Sequence, residues 1–489
     1  MRGIIINFKG RTFRKFTSMR QFGVYMNDIL IKAVVIFLFM NIGMFEIVGI
    51  SSNKLAKFVF IYVTAACLWG LLLIRFVISD KKVFGKTKFD IFYMGILTLA
   101  LISVLLSSDR VHGVFGDYET WSYSIITFLS FSIIYYVVVL LFKYLQGIRW
   151  LNLSLVLSVL LPGIYYITVL FPENGTISLD YMRYVVLSVP FIIGVLFAFK
   201  KLFLKIVAFI TLIISLFLVD YYSTYLQGTM FILSTGVLSL FILFYFSFWV
   251  KNSQVIINLV KDFISKLKGI KTIKDLKIIY KKRKREWLIF LVTILMAAWI
   301  IGFASFCYKY YVNNINPYIG EWLKDDLSNM SGFRMWLIGK NDLSEEFSSM
   351  EVINILGNYG ILSTILFIGF LFYGAFIAGK MALKYLYKGT FSNVILLSSL
   401  FVTIVGIFIT FLLIRFTPMI YLMLILVFSI LAIIDALHKK EGLYKLPVFR
   451  KKLTLKQKLI KAAGILIIIG FTLVGIIGIF SGIDRGIFQ

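Results

Sequence analysis

Apolar runs of about the twenty residues that one helix needs to cross a bilayer recur along this chain and leave it few folds to choose from. They lie near Ile31–Ile50, Phe58–Ile78, Ile91–Leu106, Tyr123–Phe142, Leu151–Phe171, Tyr184–Phe199, Leu202–Val219, Thr229–Val250, Trp287–Cys307, Val352–Ile377, Val394–Ile414, Met419–Leu437 and Ala462–Phe480. The sixth and seventh nearly fuse, so the pattern predicts about 12–13 spans in an all-α, polytopic transmembrane bundle. Composition agrees: 60% of the 489 residues are hydrophobic and only 15% charged, against roughly 25% charged in a soluble domain.

The loops give the orientation. Lys and Arg crowd the N-terminal arm (residues 1–30) and every second loop after it: Lys81 to Lys88, Lys143 to Arg149, Lys200 to Lys205, Lys251–Arg285, Lys380 to Lys388 and Lys439 to Lys461. The loops between are poor in both, among them Ser107–Ser122, Pro172–Arg183, Tyr308–Glu351 and Arg415–Pro418. The positive-inside rule then places the N-terminus in the cytoplasm of a plasma-membrane protein. The net charge of +28 follows from those loops and does not call for nucleic acid. The chain divides into a first block of about eight spans over 31–250, a basic inner loop over 251–286 whose spacing fits either an amphipathic helix on lipid or an ordinary solvated loop, and a second block over 287–483. That second block contains a large outer loop, 308–351. No small-residue cleavage site precedes the first apolar run, so no leader is expected to be removed.

Candidate chemistry gathers at the outer face. The positive-inside rule accounts for inner cations but not for outer Arg110, Arg183, Arg334 and Arg415, and a guanidinium fork fits phosphate oxygens. Each could equally be an interfacial Arg with its head drawn toward water. Among the outer carboxylates, Glu351 opens a span, where the helix dipole favours a negative charge. Phosphate loops, dinucleotide fingerprints and zinc spacings are missing from the sequence. Two His and two Cys, Cys67 and Cys307, suit neither a metal site nor a disulfide framework. No cofactor or metal is expected.

Three segments carry a resemblance to a known family. They are SSDRVHGVFGDYETWSYSIITFLSFSIIYY at Ser107–Tyr136, SGFRMW at Ser331–Trp336 in the large outer loop, and SSMEVINILGNYGILS at Ser348–Ser363. In order and sidedness these resemble the O-antigen ligase and polymerase family, integral membrane glycosyltransferases that use polyprenyl-diphosphate-linked sugars. The chain departs from that pattern. Ser349 and Met350 stand where the family has His and Asn, Glu119 and Thr120 where an Arg is common, and Leu226-Gln227-Gly228 where Ser-Arg-Gly is usual. The missing His points to polymerase rather than ligase chemistry.

The resemblance implies a polysaccharide polymerase on the outer face, moving glycan from an undecaprenyl-diphosphate carrier to a sugar hydroxyl. Its partners would be that lipid-linked oligosaccharide, membrane lipid, a chain-length regulator and a flippase. Arg334 is the first choice for the diphosphate contact, with Arg183, Arg415 and Arg110 beside it and Glu351 as the base. The competing expectation is a multi-span transporter, a flippase for the same lipid-linked oligosaccharide above all.

Overall fold

The computed structural model of this chain describes residues 4–8, 11–16, 19–41, 54–78, 87–106, 124–142, 145–170, 178–198, 201–221, 351–387, 391–413 and 416–438, with isolated residues elsewhere between 43 and 308. Apart from an N-terminal antiparallel hairpin, β1 (Ile4–Phe8) and β2 (Arg11–Phe16), the elements are helices. They are α1 (Met19–Asn41), α2 (Lys54–Ile78), α3 (Asp90–Leu106), α4 (Ile125–Leu141), α5 (Leu145–Tyr165), α6 (Leu179–Ala198), α7 (Leu202–Tyr221), α8 (Glu351–Tyr387), α9 (Phe391–Leu413) and α10 (Pro418–His438). Among the described residues, eight are long and apolar enough to span a bilayer, and α3 and α4 are slightly shorter. The protein is an all-α, multi-pass helical bundle. The expected spans at Thr229–Val250 and Ala462–Phe480 lie outside the described residues, and that at Trp287–Cys307 is described only in pieces, including a helical stretch over Thr293–Gly302.

Helix is the form these runs must take in lipid, because every backbone polar group has to be bonded within its own segment. Their ends are set by local chemistry. Ser124 caps α4 by accepting the Thr127 amide at 3.3 Å. Thr417 does the same for the Ile420 amide at 3.4 Å, and Pro418 follows at the first helical position, where a missing N–H costs nothing. On α5, Pro162 precedes a single π-helical turn over Tyr166–Leu170, a common way to absorb an interrupted hydrogen-bond ladder.

Several boundaries differ from the sequence expectation, three of them for a visible reason. α1 begins at Met19 rather than near Ile31. The helix accommodates Asn27 and Asp28: Asn27 is buried and its Nδ2 donates to the Leu71 carbonyl at 2.9 Å, and the partly exposed Asp28 pairs with Arg75 Nε at 2.6 Å. α6 begins at Leu179 because Ser178 accepts the Tyr181 amide. Arg183 therefore stands inside a helix rather than in an outer loop. α8 runs on past Ile377 to Tyr387. Its last turns carry Lys380, lying 5.7 Å over the Phe376 ring, and Lys384, a placement the helix dipole favours.

The middle of the bundle is made of α10 and α9, with 83% and 78% of their spanning windows buried against 28% for α1. α4 and α6 pack beside them. α6 and α9 approach closely at Gly194, where a Cβ would come within 2.1 Å of the Ser399 hydroxyl. Small residues at such crossings let backbones meet in lipid. α3, α4, α8 and α10 surround a narrow cavity walled by aromatic rings such as Phe128, Phe131, Phe370 and Tyr421.

Candidate functional site

At the end of the bundle that the Lys and Arg pattern assigns to the outside, α4, α8 and α10 all begin, and they touch one another. The Phe128 ring of α4 meets Tyr359 of α8 edge-on at 5.5 Å, and Phe131 of α4 stacks on Tyr421 of α10 at 5.4 Å. Three adjoining helix N-termini place three positive dipole ends together, a setting that favours negative charge.

Glu351, the first residue of α8, sits in that setting and is fully buried. Its Oε2 accepts the backbone N–H of Phe416 at 2.9 Å, and its Oε1 accepts the hydroxyl of Tyr421. Both donors come from the start of α10 and the turn before it. The carboxylate thus ties α8 to α10 across the outer end. Hydrogen bonds to a charged acceptor are about twice as strong as neutral ones, and here they lie in a low-dielectric interior.

Around it runs a layer of uncharged polar groups. Tyr62 of α2 shares hydrogen bonds with the Ser124 and Thr127 hydroxyls of α4, the first at 3.4 Å. Along α8, Glu351, Asn354 and Asn358 recur at helical spacing, and all three are buried. Asn358 Nδ2 donates to the Asn354 carbonyl at 2.9 Å, while its own carbonyl accepts Ser103 Oγ of α3 at 2.7 Å. Its side-chain oxygen has no hydrogen-bond partner.

Two residues further, α8 breaks. Gly360 has φ 78° and ψ 176°, values closed to a residue with a side chain. The Ser363 and Thr364 hydroxyls donate to the Tyr359 and Gly360 carbonyls at 2.9 and 3.1 Å and cover the polar backbone there. The segment Glu351–Tyr359 is therefore a short outer half-helix with its own direction.

Of the residues singled out from sequence, Glu351 lies at the centre of this cluster. The amide that Glu351 holds is that of Phe416, the residue after Arg415 in the sequence; Arg415, Arg110 and Arg334 themselves lie outside the described residues. Arg183 lies in the first turns of α6, where it pairs with Asp180 at 3.2 Å. Sequence reasoning passed over Tyr421, Tyr62, Asn354 and Asn358 because it followed charged groups. The spacing of Glu351, Asn354 and Asn358 was the available signal, since three polar residues on one helical face of an apolar run mark a buried polar seam. Among the described residues, no group of three or more His, Cys, Asp or Glu side chains is arranged to hold a metal ion.

In comparison with known proteins, no family model matches the chain, and neither a curated protein nor a solved structure matches it.

Proposed function

We propose that this protein is a polysaccharide polymerase of the plasma membrane, transferring glycan on the outer face from an undecaprenyl-diphosphate carrier to a sugar hydroxyl. The observation that carries the proposal is the buried outer-end cluster in which the N-termini of α4, α8 and α10 meet around Glu351. A transfer of this kind needs no nucleotide, because the lipid diphosphate is the leaving group. Breaking the bond between the sugar's anomeric carbon and the diphosphate oxygen sends the electron pair to the phosphate. The new bond forms from the acceptor hydroxyl, whose proton must be taken up. Converging helix N-termini and arginines stabilise the charge that grows on the diphosphate. Arg334, Arg415, Arg183 and Arg110 are the cations proposed for that contact, and the order of the three family-like segments supports the same reading.

The break in α8 favours one other reading, a flippase for the same lipid-linked oligosaccharide, because discontinuous spanning helices build substrate sites in transporters. Deletion of the gene separates the two. A polymerase leaves single lipid-linked repeat units on the outer face and no long polymer; accumulation of those units on the cytoplasmic side would replace the polymerase reading with the flippase. In the complemented strain, Arg334→Lys keeps weak polymerisation and Arg334→Ala almost none at equal protein level. Loss of a charge-assisted contact worth about 1.5–3 kcal/mol slows the reaction roughly ten- to a hundred-fold.

A further inference from the structure

We infer that Glu351 is a positioning residue, which fixes Phe416 and the start of α10 immediately after Arg415 in the sequence. The role rests on the polymerase reading only in so far as Arg415 meets the diphosphate; the latch itself is a matter of geometry.

A general base must come within hydrogen-bond reach, about 2.6–3.2 Å, of the proton it removes. Glu351 has no exposed surface, and each of its carboxylate oxygens is engaged by a donor from the α10 side. Those donors are held in turn. The Tyr421 ring stacks on Phe131 at 5.4 Å and meets Phe416 edge-on at 5.2 Å, so its hydroxyl cannot swing away without unpacking two rings. The Phe416 nitrogen belongs to the planar peptide it shares with Arg415. On its other side, Thr417 caps α10 and Pro418 has its φ locked by its ring. One hydrogen bond to Glu351 therefore holds the backbone at Phe416, directly ahead of the capped start of α10.

The carboxylate's own position is just as constrained. Gly360 frees the half-helix Glu351–Tyr359 from the direction of the rest of α8. Ser103 of α3 and Phe128 of α4 then hold its far end through the Asn358 carbonyl and the Tyr359 ring. Two neighbouring helices thus aim Glu351 at one amide and one hydroxyl, an arrangement that makes a rigid support.

A base and a support respond differently to one isosteric change. Glutamine keeps an acceptor oxygen for the Phe416 amide but cannot take a proton. Glu351→Gln, Glu351→Ala and Tyr421→Phe, each as the full chain in membranes, are measured for polymer formation and for the rate at which an impermeant maleimide labels Arg415→Cys. Cys67 and Cys307 are replaced by Ser in the labelling background. The expected result is that Glu351→Gln keeps polymer within about threefold of wild type while Glu351→Ala loses roughly ten- to a hundred-fold. Labelling at position 415 is unchanged by Gln, faster by about tenfold with Ala, and raised less with Tyr421→Phe. Tyr421→Phe keeps the ring packing and serves if Glu351→Ala does not accumulate. A Gln variant as inactive as Ala, with labelling unchanged in both, would overturn the inference in favour of a base. Labelling indifferent to Ala would overturn it outright. Labelling that follows the expected series in a protein that makes no polymer upholds the latch and removes the polymerase reading instead.

Discussion

The two ends of this bundle handle buried polarity in opposite ways. At the inner end, acids meet cations or local caps. Asp28 pairs with Arg75, Lys88 reaches Asp435 at 3.7 Å, and Asp90 accepts the Thr87 amide at 2.7 Å. At the outer end Glu351, the one fully buried carboxylate among the described residues, is held by a backbone amide and a phenol, within a layer of hydroxyls and carboxamides. The inner arrangement neutralises charge and clamps helices. The outer one sets the Glu351 carboxylate at converging helix N-termini among uncharged polar groups. Basic inner loops are plentiful, so cations for clamping are at hand there, whereas the outer loops are poor in Lys and Arg.

The largest effect is expected at the inner clamp. Arg75 is almost wholly buried, and its Nη1 already lacks a partner. Asp28→Ala leaves that guanidinium without its counter-charge, a loss of about 3–5 kcal/mol for a buried pair broken on one side. Thermal unfolding of the purified full chain in detergent would show it as a large drop in midpoint. Adding Arg75→Leu should restore most of the loss, because the stranded charge goes with it. A single variant with a wild-type midpoint would break the comparison at its inner half.

The outer half is sharpened by Gly360. Alanine there must adopt φ 78°, at a cost of about 1–3 kcal/mol. Gly70 of α2 is the control. Added Cβ atoms meet nothing within 4 Å at that position, so Gly70→Ala should be neutral or stabilise by up to about 1 kcal/mol. Equal midpoints for the two variants would mean that α8 does not need its break.

Much of this was legible in the sequence, and the failures have physical causes. Apolar runs of spanning length announced the helices because lipid leaves the backbone no alternative. The true start of α1 was hidden, since the polar Asn27 and Asp28 precede the apolar run and find their partners, Leu71 and Arg75, only in the next helix. Glu351 was visible as an acid opening a span. Its partners Phe416 and Tyr421 were not, because they arrive from a segment 65 and 70 residues further along the chain. Gly360 could be picked out by its place after the polar seam, but nothing local announces that its φ is positive. Arg183 was expected in a loop and instead extends a helix whose Ser178 cap lies several residues earlier.

Arg183 carries the smallest expected change in stability and therefore the cleanest functional test. Its pair with Asp180 is an i,i+3 contact within α6, with side chains 28% and 40% exposed. Exposed helical pairs of this kind contribute about 0.3–0.5 kcal/mol, so Arg183→Ala should unfold almost where wild type does. Asp180→Ala removes the same pair and leaves the cation. If the arginine serves only its helix, the two variants make the same amount of polymer. If it reaches the diphosphate, Arg183→Ala loses a charge-assisted contact and falls roughly ten-fold or more in rate, while Asp180→Ala stays at or above wild type because its guanidinium is released from a competing acceptor. Polymer yield at matched protein level, read beside the unfolding midpoint, separates the two. Equal yields would remove Arg183 from the outer-face site and leave the anion contact to the arginines nearer α8 and α10 in the chain, Arg334 and Arg415.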